Sequence, residues 1–211
     1  MANADIVAYW SLDDSDGSLA RDSLGRGDGV LKGNPEWAKG QFGGALKFDG
    51  AGDYVDCGGG RSLGDLNTWA DITDAMTVAA WVNIPTVPTL WMAIVTKGDS
   101  AWRFLTNENQ RKFAFAVTDH PQLQTVFGNI EVPTGEWQHV CGTYDGRTIS
   151  LYVNGALDVT KAYNGVITTN AHNVYIGENE GATGRYFNGL IDDVVIFDHA
   201  LSEDEITQLY N

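Results

Sequence analysis

Short segments in which apolar and polar residues alternate follow one another along almost the whole chain. In TISLYVNG (148–155), the apolar side chains Ile149, Leu151 and Val153 fall on one side of an extended backbone. A period of two is typical of a β-strand, whose successive side chains point to opposite faces. Further long runs are MTVAAWVNI (76–84), WQHVCGTY (137–144) and LIDDVVIF (190–197). Many short strands predict an all-β fold, an antiparallel β-sandwich of the jelly-roll type.

Turn residues separate these segments. Asp145-Gly146 and Asn154-Gly155 each lie between two alternating runs, and such dipeptides tolerate the positive φ of a tight hairpin turn. The chain has 25 glycines and only 19% charged residues, which favours many turns over long helices. A length of 211 residues fits one large sandwich, and no internal repeat or low-complexity linker divides the chain. We therefore expect a single domain over residues 1–211.

One helix is predicted at the C-terminus, in LSEDEITQLY (201–210). Ser202 is placed to cap it, and Glu205 stands three residues later, which together form the sequence signature of a capping box. Ile206, Leu209 and Tyr210 then form a short apolar stripe. We expect this helix to pack on an edge of the sandwich.

The net charge of −15 limits the classes of partner. Phosphate binding needs clustered Lys and Arg, so nucleic acid is excluded as a partner. No segment reaches the roughly 18 apolar residues of a membrane span, so no membrane insertion is expected. The start MANADIVAYW has no signal-peptide pattern. Either the protein stays inside the cell or the chain is a module of a longer secreted protein.

The two cysteines, Cys57 and Cys141, both fall in predicted strands. A disulfide would require their Cα atoms to lie within about 7 Å. Buried thiols also behave as small apolar side chains. We expect two unlinked thiols, with one disulfide as the alternative.

Four segments together resemble a known family, the laminin-G-like, concanavalin A-like jelly-roll domains, which include relatives of the pentraxins. The segments are VAYWSLDDSDGSLARDSLGRGDGVLKG (7–33), GALKFDGAGDYVD (44–56), GEWQHVCGTYDGRTISLYVNG (135–155) and FNGLIDDVVIFDHALSEDEI (187–206). The resemblance implies two packed antiparallel sheets, often with a calcium ion at one edge. It also implies an extracellular or cell-surface location, as part of a larger polypeptide.

A structural calcium ion is the cofactor that the resemblance implies. Strict alternation in LIDDVVIF places Asp192 with Val194 and Ile196, and Asp193 with Ile191 on the other face. The family pattern favours Asp192 as the acid turned towards the N-terminal loop. Calcium takes six to eight oxygens from carboxylates, carbonyls and water. The predicted metal ligands are Asp192, Asp22, Asp28 and Asp49, with backbone carbonyls of DSLGRGDG (22–29). The alternative is that Asp192 accepts hydrogen bonds from backbone amides.

Catalytic patterns of this fold are absent from the sequence. A retaining glycosidase needs two carboxylates about 5 Å apart in a cleft. The family's hydrolases place them on one strand as Glu-x-Asp-x-x-Glu or a shorter form, and no run here carries that pattern. His139 and Cys141 share a strand face, but no Asn or Asp is placed to orient the histidine. We therefore do not expect an enzyme.

Aromatic residues near strand ends are candidates for a ligand surface. The predicted ligand-binding residues are Trp91, Trp102, Arg103, Arg185 and Tyr186, from PTLWMAIVTKGDSAWRF (88–104) and GENEGATGRY (177–186). Aromatic rings can stack on the faces of sugar rings. The alternative is that these rings only cover the sheet edges.

The function expected from the sequence is a non-catalytic binding module with a structural calcium ion. Its expected partner is a glycan or an extracellular protein. A spacer or adhesion domain without a small ligand is the second possibility. A jelly-roll glycoside hydrolase or polysaccharide lyase is the third.

Overall fold

Antiparallel β-strands make up most of the structure, a computed structural model that describes residues 6–60, 68–86, 91–107, 111–119 and 122–211. In chain order the strands are β1 (Ile6–Trp10), β2 (Leu19–Ala20), β3 (Gly29–Lys32), β4 (Glu36–Lys39), β5 (Gly44–Asp49), β6 (Tyr54–Asp56), β7 (Met76–Asn83), β8 (Ala93–Thr96), β9 (Trp102–Asn107), β10 (Lys112–Asp119), β11 (Gln122–Glu131), β12 (Trp137–Tyr144), β13 (Thr148–Val153), β14 (Ala156–Ala162), β15 (Tyr175–Ile176) and β16 (Asn188–Phe197). Helix α1 (Glu203–Tyr210) follows the last strand.

The strands form two eight-stranded sheets. The first sheet has the order β14-β13-β12-β7-β16-β5-β4, and β1 also pairs with β16. The second sheet has the order β11-β10-β9-β8-β15-β6-β3-β2. All of these pairs are antiparallel, and an apolar core lies between the sheets, which confirms the predicted sandwich. The single domain expected over residues 1–211 stays a prediction.

Strand β7 shows how alternation sets the core. Val78, Ala80 and Val82 belong to the buried cluster between the sheets, while Ala79 belongs to a separate cluster on the outward face. The Asn154-Gly155 turn that follows β13 has φ values of 52° and 76°. Two positive values in succession are what a tight two-residue hairpin needs, so the predicted turn is confirmed.

Helix α1 covers part of the outward face of the first sheet. The Ser202 side chain accepts a hydrogen bond from the Glu205 amide, and the Glu205 carboxylate accepts one from the Ser202 amide at 2.8 Å, so the predicted capping box is confirmed. Ile206 is buried against Cys141 and its neighbours in the outward cluster. Because of this helix, the first sheet is buried on both faces near its middle.

A β-bulge interrupts β16 at the two acids. Asp193 has φ of 47°, and the pairing with β7 shifts between Asp192 and Val195. The expectations that Ile191 shares a face with Asp193, and that Asp192 shares one with Val194 and Ile196, are therefore wrong. Ile191 belongs instead to the core cluster, on the same side as Val194 and Ile196. Because a bulge sets two residues opposite one, both acids are left off the core face.

Both cysteines are buried and unlinked, as predicted. Cys57 lies in the core between the sheets, whereas Cys141 lies under helix α1 on the other side of the first sheet. The part of the chain that the structure describes contains no helix long and apolar enough to cross a membrane.

Candidate functional site

The outward face of the second sheet carries most of the predicted ligand residues. Arg103 pairs with Thr96 of β8 and Ala116 of β10, on the side of the sheet that faces away from the core. Its neighbours Trp102 and Phe104 point the other way and belong to the core cluster. Because side chains alternate along β9, Arg103 and Trp102 lie on opposite faces of the second sheet.

Trp102 is a core residue rather than a surface residue. Only 1% of it is exposed. Of the two alternatives raised for this ring from the sequence, the structure shows the packing role. The reason is that WRF (102–104) begins a strand, so its first and third side chains share the buried face.

Asp99 joins two arginines that the sequence placed 82 residues apart. Its Oδ1 accepts hydrogen bonds from Arg103, from Arg185 Nη1 at 2.7 Å and from Asn179 Nδ2 at 2.6 Å. Burial alone would raise the pKa of Asp99, but the hydrogen bond and charge of Arg103, with the charge of Arg185, outweigh it and lower that pKa. The carboxylate thus stays charged and holds both guanidinium groups in place.

Trp91 lies beside these two guanidinium groups. The Cζ atoms of Arg103 and Arg185 are 6.0 and 5.8 Å from the centre of its ring. These separations are at the limit of cation–π attraction. The Phe127 ring, which is 38% exposed, lies 6.3 Å from the Trp91 ring. Trp91 itself is half-buried, so part of the ring remains open to solvent.

The loop after β15 positions Arg185 and Tyr186. Glu178 is buried, and its carboxylate accepts hydrogen bonds from the amides of Asn179 at 2.7 Å, Arg185 at 3.1 Å and Gly184 at 3.2 Å. The charge of Glu178 and its hydrogen bond with the Tyr186 hydroxyl raise the pKa of that hydroxyl. One buried acid therefore fixes the conformation of the whole loop.

Three of the five predicted ligand residues, Trp91, Arg103 and Arg185, thus lie together. We name the cluster that they form with Asp99 and Phe127 the aromatic–arginine platform, while Tyr186 interacts with Glu178 beside it. The arginines differ in exposure, because 22% of the Arg185 side chain is open and only 7% of the Arg103 side chain. Asp99 and Phe127 were missed by sequence reasoning. A hairpin pairing of β10 with β11 brings Phe127 to this face, and alternation alone does not reveal such a partner.

The predicted metal ligand Asp22 is fully engaged by backbone amides. Its Oδ1 accepts from Tyr9 at 2.9 Å and Leu24 at 3.2 Å, and its Oδ2 accepts from Arg26 at 2.8 Å and Gly27 at 3.2 Å. Four N–H groups pointing at one carboxylate occupy the directions that a cation would need. Asp22 thus acts as the anchor of the loop 22–29.

Asp192 lies against a different loop. Its Oδ2 accepts from the Phe42 amide at 3.1 Å, and a Cβ placed on Gly40 would lie 2.5 Å from the same oxygen. Its Oδ1 is buried without a hydrogen-bond partner among the described residues. Burial raises the pKa of Asp192 to about 7, since the amide bonds offset only part of the desolvation. The alternative of bonding to backbone amides therefore describes Oδ2 of this carboxylate but not Oδ1.

The two remaining candidates do not complete a calcium site. Asp28 is exposed and accepts from the Asp22 amide at 2.9 Å, while Asp49 accepts from the Ala51 amide at 2.7 Å. Within the described ranges no three His, Cys, Asp or Glu side chains lie together as metal ligands. The amide hydrogen bonds at Asp22 and at Asp192 Oδ2 compete with a cation for these oxygens, and the calcium ion stays a prediction.

Solved structures with the same fold support this architecture. Domain 4 of AbnA, a GH43 extracellular arabinanase from Geobacillus stearothermophilus, in complex with arabinotriose, is 21% identical with a TM-score of 0.77, and 98% of each chain is covered. The binding domain of Paraclostridial Mosquitocidal Protein 1 is 14% identical with a TM-score of 0.77, and a Trypanosoma rangeli sialidase is 19% identical with a TM-score of 0.73. At these identities the likeness shows the fold alone.

The extent of these matches differs. This chain is covered to 98% and 99% by the toxin domain and the sialidase, but spans only 52% and 32% of their lengths. No curated protein matches the sequence. A family model, Laminin_G_3, matches residues 49–207, which is most of the chain and includes the platform. The chain therefore belongs to the concanavalin A-like lectin/glucanases superfamily, as the resemblance implied.

Proposed function

We propose that this chain is a non-catalytic module that binds carbohydrate on the aromatic–arginine platform. The observation that carries the proposal is the half-open ring of Trp91 beside the guanidinium groups of Arg103 and Arg185. A sugar has apolar C–H faces and hydroxyl groups at its edge. An aromatic ring next to fixed hydrogen-bond donors matches both features.

The platform is held in place before any ligand arrives. Arg103 stands on a strand, and Asp99 bonds both arginines. Arg185 Nη1 is fixed by Asp99 while its side chain remains partly open, so it is the donor that a sugar hydroxyl reaches. A pre-ordered site loses less side-chain entropy on binding, which favours affinity for a ligand as polar as a sugar.

The similar structures suggest which carbohydrate to test first. Domain 4 of AbnA was solved in complex with arabinotriose, and that domain matches this chain over its full length. Arabino-oligosaccharides are therefore the first probes that we propose. An extracellular location within a larger polypeptide is part of the same proposal, since AbnA is described as an extracellular enzyme and the match is to one of its domains.

Asp99 of the platform and Glu178 of the neighbouring loop are not suited to act as catalytic acids. A glycosidase acid must hold a proton near neutral pH, whereas the arginines lower the pKa of Asp99. Both oxygens of Glu178 accept backbone hydrogen bonds. Cys141 is buried under the helix, and burial raises the pKa of its thiol far above that of a reactive cysteine. These features support a binding role.

The experiment is a glycan screen with matched variants. Wild-type protein should be retained by at least one polysaccharide of a panel that includes arabinan. Trp91→Ala and Arg185→Ala should each lower retention about five- to thirtyfold, as expected for contacts of about 1–2 kcal/mol. Phe42→Ala is the control, because Phe42 is 48% exposed and meets Trp81 of the first sheet edge-on, away from the platform. Unchanged retention by Trp91→Ala, or turnover of the polymer by wild type, would contradict the proposal.

A second candidate is recognition of a protein partner, which strand β11 favours. Leu123, Phe127 and Ile130 are exposed by 36%, 38% and 44% along this edge strand. Exposed apolar side chains on the edge strand of a sheet are a common place for another chain to dock. If every glycan fails while Leu123→Lys removes binding to a partner protein, this second function is correct.

A further inference from the structure

A pocket of about 340 Å³ opens on the outward face of the first sheet, on the opposite side of the sandwich from the platform. Its apolar walls include Tyr9, Phe42, Trp81 and Leu209, from the N-terminal strand, the loop before β5, strand β7 and helix α1. The Trp81 ring stacks on Tyr210 with centres 5.5 Å apart and an interplanar angle of 27°, and meets Phe42 edge-on at 5.7 Å. Aromatic side chains thus define the pocket.

Asp193 supplies a carboxylate to this aromatic pocket. The bulge in β16 turns it off the core face, with φ of 47°. Tyr9 donates its hydroxyl hydrogen to Oδ1 at 2.5 Å. Among the described residues, Oδ2 of Asp193 receives no hydrogen bond. A non-glycine residue held at positive φ, with one carboxylate oxygen unengaged, is a common feature of binding sites.

His139 adds a second polar group to the lining. It is 98% buried, with 2% exposed, and its Nδ1 has no hydrogen-bond partner within the described part of the chain. Its ring lies 5.3 Å from that of Trp81. A buried polar atom without a partner is costly unless a ligand or water supplies the missing bond. The pocket therefore has two polar groups that its own walls do not satisfy.

The charge around the pocket is negative. None of the described lining residues is Lys or Arg. Besides Asp193, the carboxylates of Asp13 and Asp192 lie close enough to the Tyr9 hydroxyl to interact with it electrostatically. The chain as a whole carries a net charge of −15. Aromatic faces and a carboxylate that has no cationic partner among the described residues attract the same kind of group, a weakly hydrated organic cation.

We propose that this pocket binds a small organic ammonium group, with the cation against Trp81 and Phe42 and its charge paired with Asp193. Alkylated ammonium ions suit it best, because aromatic rings replace the weak hydration of their methyl groups at little cost. His139 offers a hydrogen-bonding nitrogen to a polar substituent of the same ligand. The site is independent of the carbohydrate platform, since the two lie on opposite sheets.

The test uses choline and its neutral isostere 3,3-dimethylbutan-1-ol, titrated separately into the full chain and followed by backbone-amide NMR. Choline should shift the amides of Asp193, Trp81 and His139 in a saturable way, and the neutral alcohol should bind at least about tenfold more weakly. Asp193→Asn should weaken choline binding about tenfold or more without affecting the alcohol. Asn tolerates positive φ, so this change preserves the bulge.

Two controls separate this site from general charge attraction and from the platform. Asp198→Asn removes the same charge at an exposed position outside the pocket lining, so choline should bind as in wild type. Trp91→Ala should also leave choline binding intact. The proposal is overturned if choline produces no saturable shift, if the neutral alcohol binds as tightly as choline, or if the two Asp→Asn changes weaken binding equally.

Discussion

At the scale of single residues, Trp91 and Trp102 show that neighbouring tryptophans of one segment have different roles. Trp102 packs between the sheets with 1% exposed, whereas Trp91 is half-buried beside two arginines. Trp102 stands on the face of β9 that meets the core, whereas Trp91 lies outside the strands, two residues before β8. A ring that packs in the core contributes to stability, while a ring at the surface can contribute to binding.

Trp102→Ala should lower the free energy of unfolding by about 3–5 kcal/mol, the range for removing a fully buried ring. Trp91→Ala should cost much less, because part of that ring is already in solvent. Urea denaturation of the two variants against wild type measures both changes. Equal losses for the two variants would show that Trp91 is a core residue after all, and would remove the basis of the platform.

His139 links burial to pH in a direction that can be checked. Burial lowers the pKa of His139 to about 4, below the value of about 6.5 that it has in an unfolded chain. Between those two values the unfolded chain takes up a proton that the folded chain does not. Folding stability should therefore fall as pH decreases from 6.5 towards 4, by up to about 3 kcal/mol from this residue.

The matched variant is His139→Phe, which keeps a ring against Trp81 and cannot be protonated. The difference in unfolding free energy between wild type and variant should change across pH 6.5 to 4 and stay constant above pH 7. The other three histidines and all carboxylates are common to both proteins, so their titration cancels in this difference. A constant difference throughout would mean that the pKa of His139 is the same in the folded and the unfolded chain, and hence that solvent reaches the ring.

At the scale of elements, strands that obey a regular period were predictable and the interruption of that period was not. Strands β7 and β13 have the faces that alternation predicts, and the cap of helix α1 follows from Ser202 and Glu205 alone. The bulge at Asp193 has no signature in a run of branched residues. It becomes visible only when β16 pairs with β7, so one shifted residue reversed the expected face of Ile191.

The residues of the proposed platform were predictable only in part. Sequence reasoning proposed Trp91, Arg103, Arg185 and Tyr186 because they lie near strand ends in segments with aromatic rings, which can stack on sugars. It did not find Asp99, which contributes nothing conspicuous by itself and gains its role from contacts made by distant segments. It included Trp102 because composition does not distinguish the two faces of a strand.

At the scale of the whole molecule, the excess of acids should make stability depend on ionic strength. The chain has 28 acidic and 13 basic residues, and few of the acids are paired with a cation in the described ranges. Self-repulsion of this kind acts over about 30 Å at 0.01 M salt and about 10 Å at 0.1 M. Raising NaCl from 10 to 150 mM should therefore raise the melting temperature.

Calcium should add nothing specific to this salt effect. A bound ion would stabilise the folded state by about 2.7 kcal/mol when its free concentration is a hundredfold above the dissociation constant. At Asp22, however, a cation would have to displace the four amide hydrogen bonds that hold the loop 22–29. Asp192 lies against a different loop, where its Oδ2 accepts from the Phe42 amide, and we expect its single open oxygen to be too few for a calcium ion. In protein treated with EDTA and then dialysed, 1 mM CaCl2 and 1 mM MgCl2 should give the same melting temperature, as measured by circular dichroism. If calcium alone raised it, and Asp192→Asn and Asp22→Asn both removed the rise, the predicted calcium site would be correct and the amide bonds would belong only to the ion-free state.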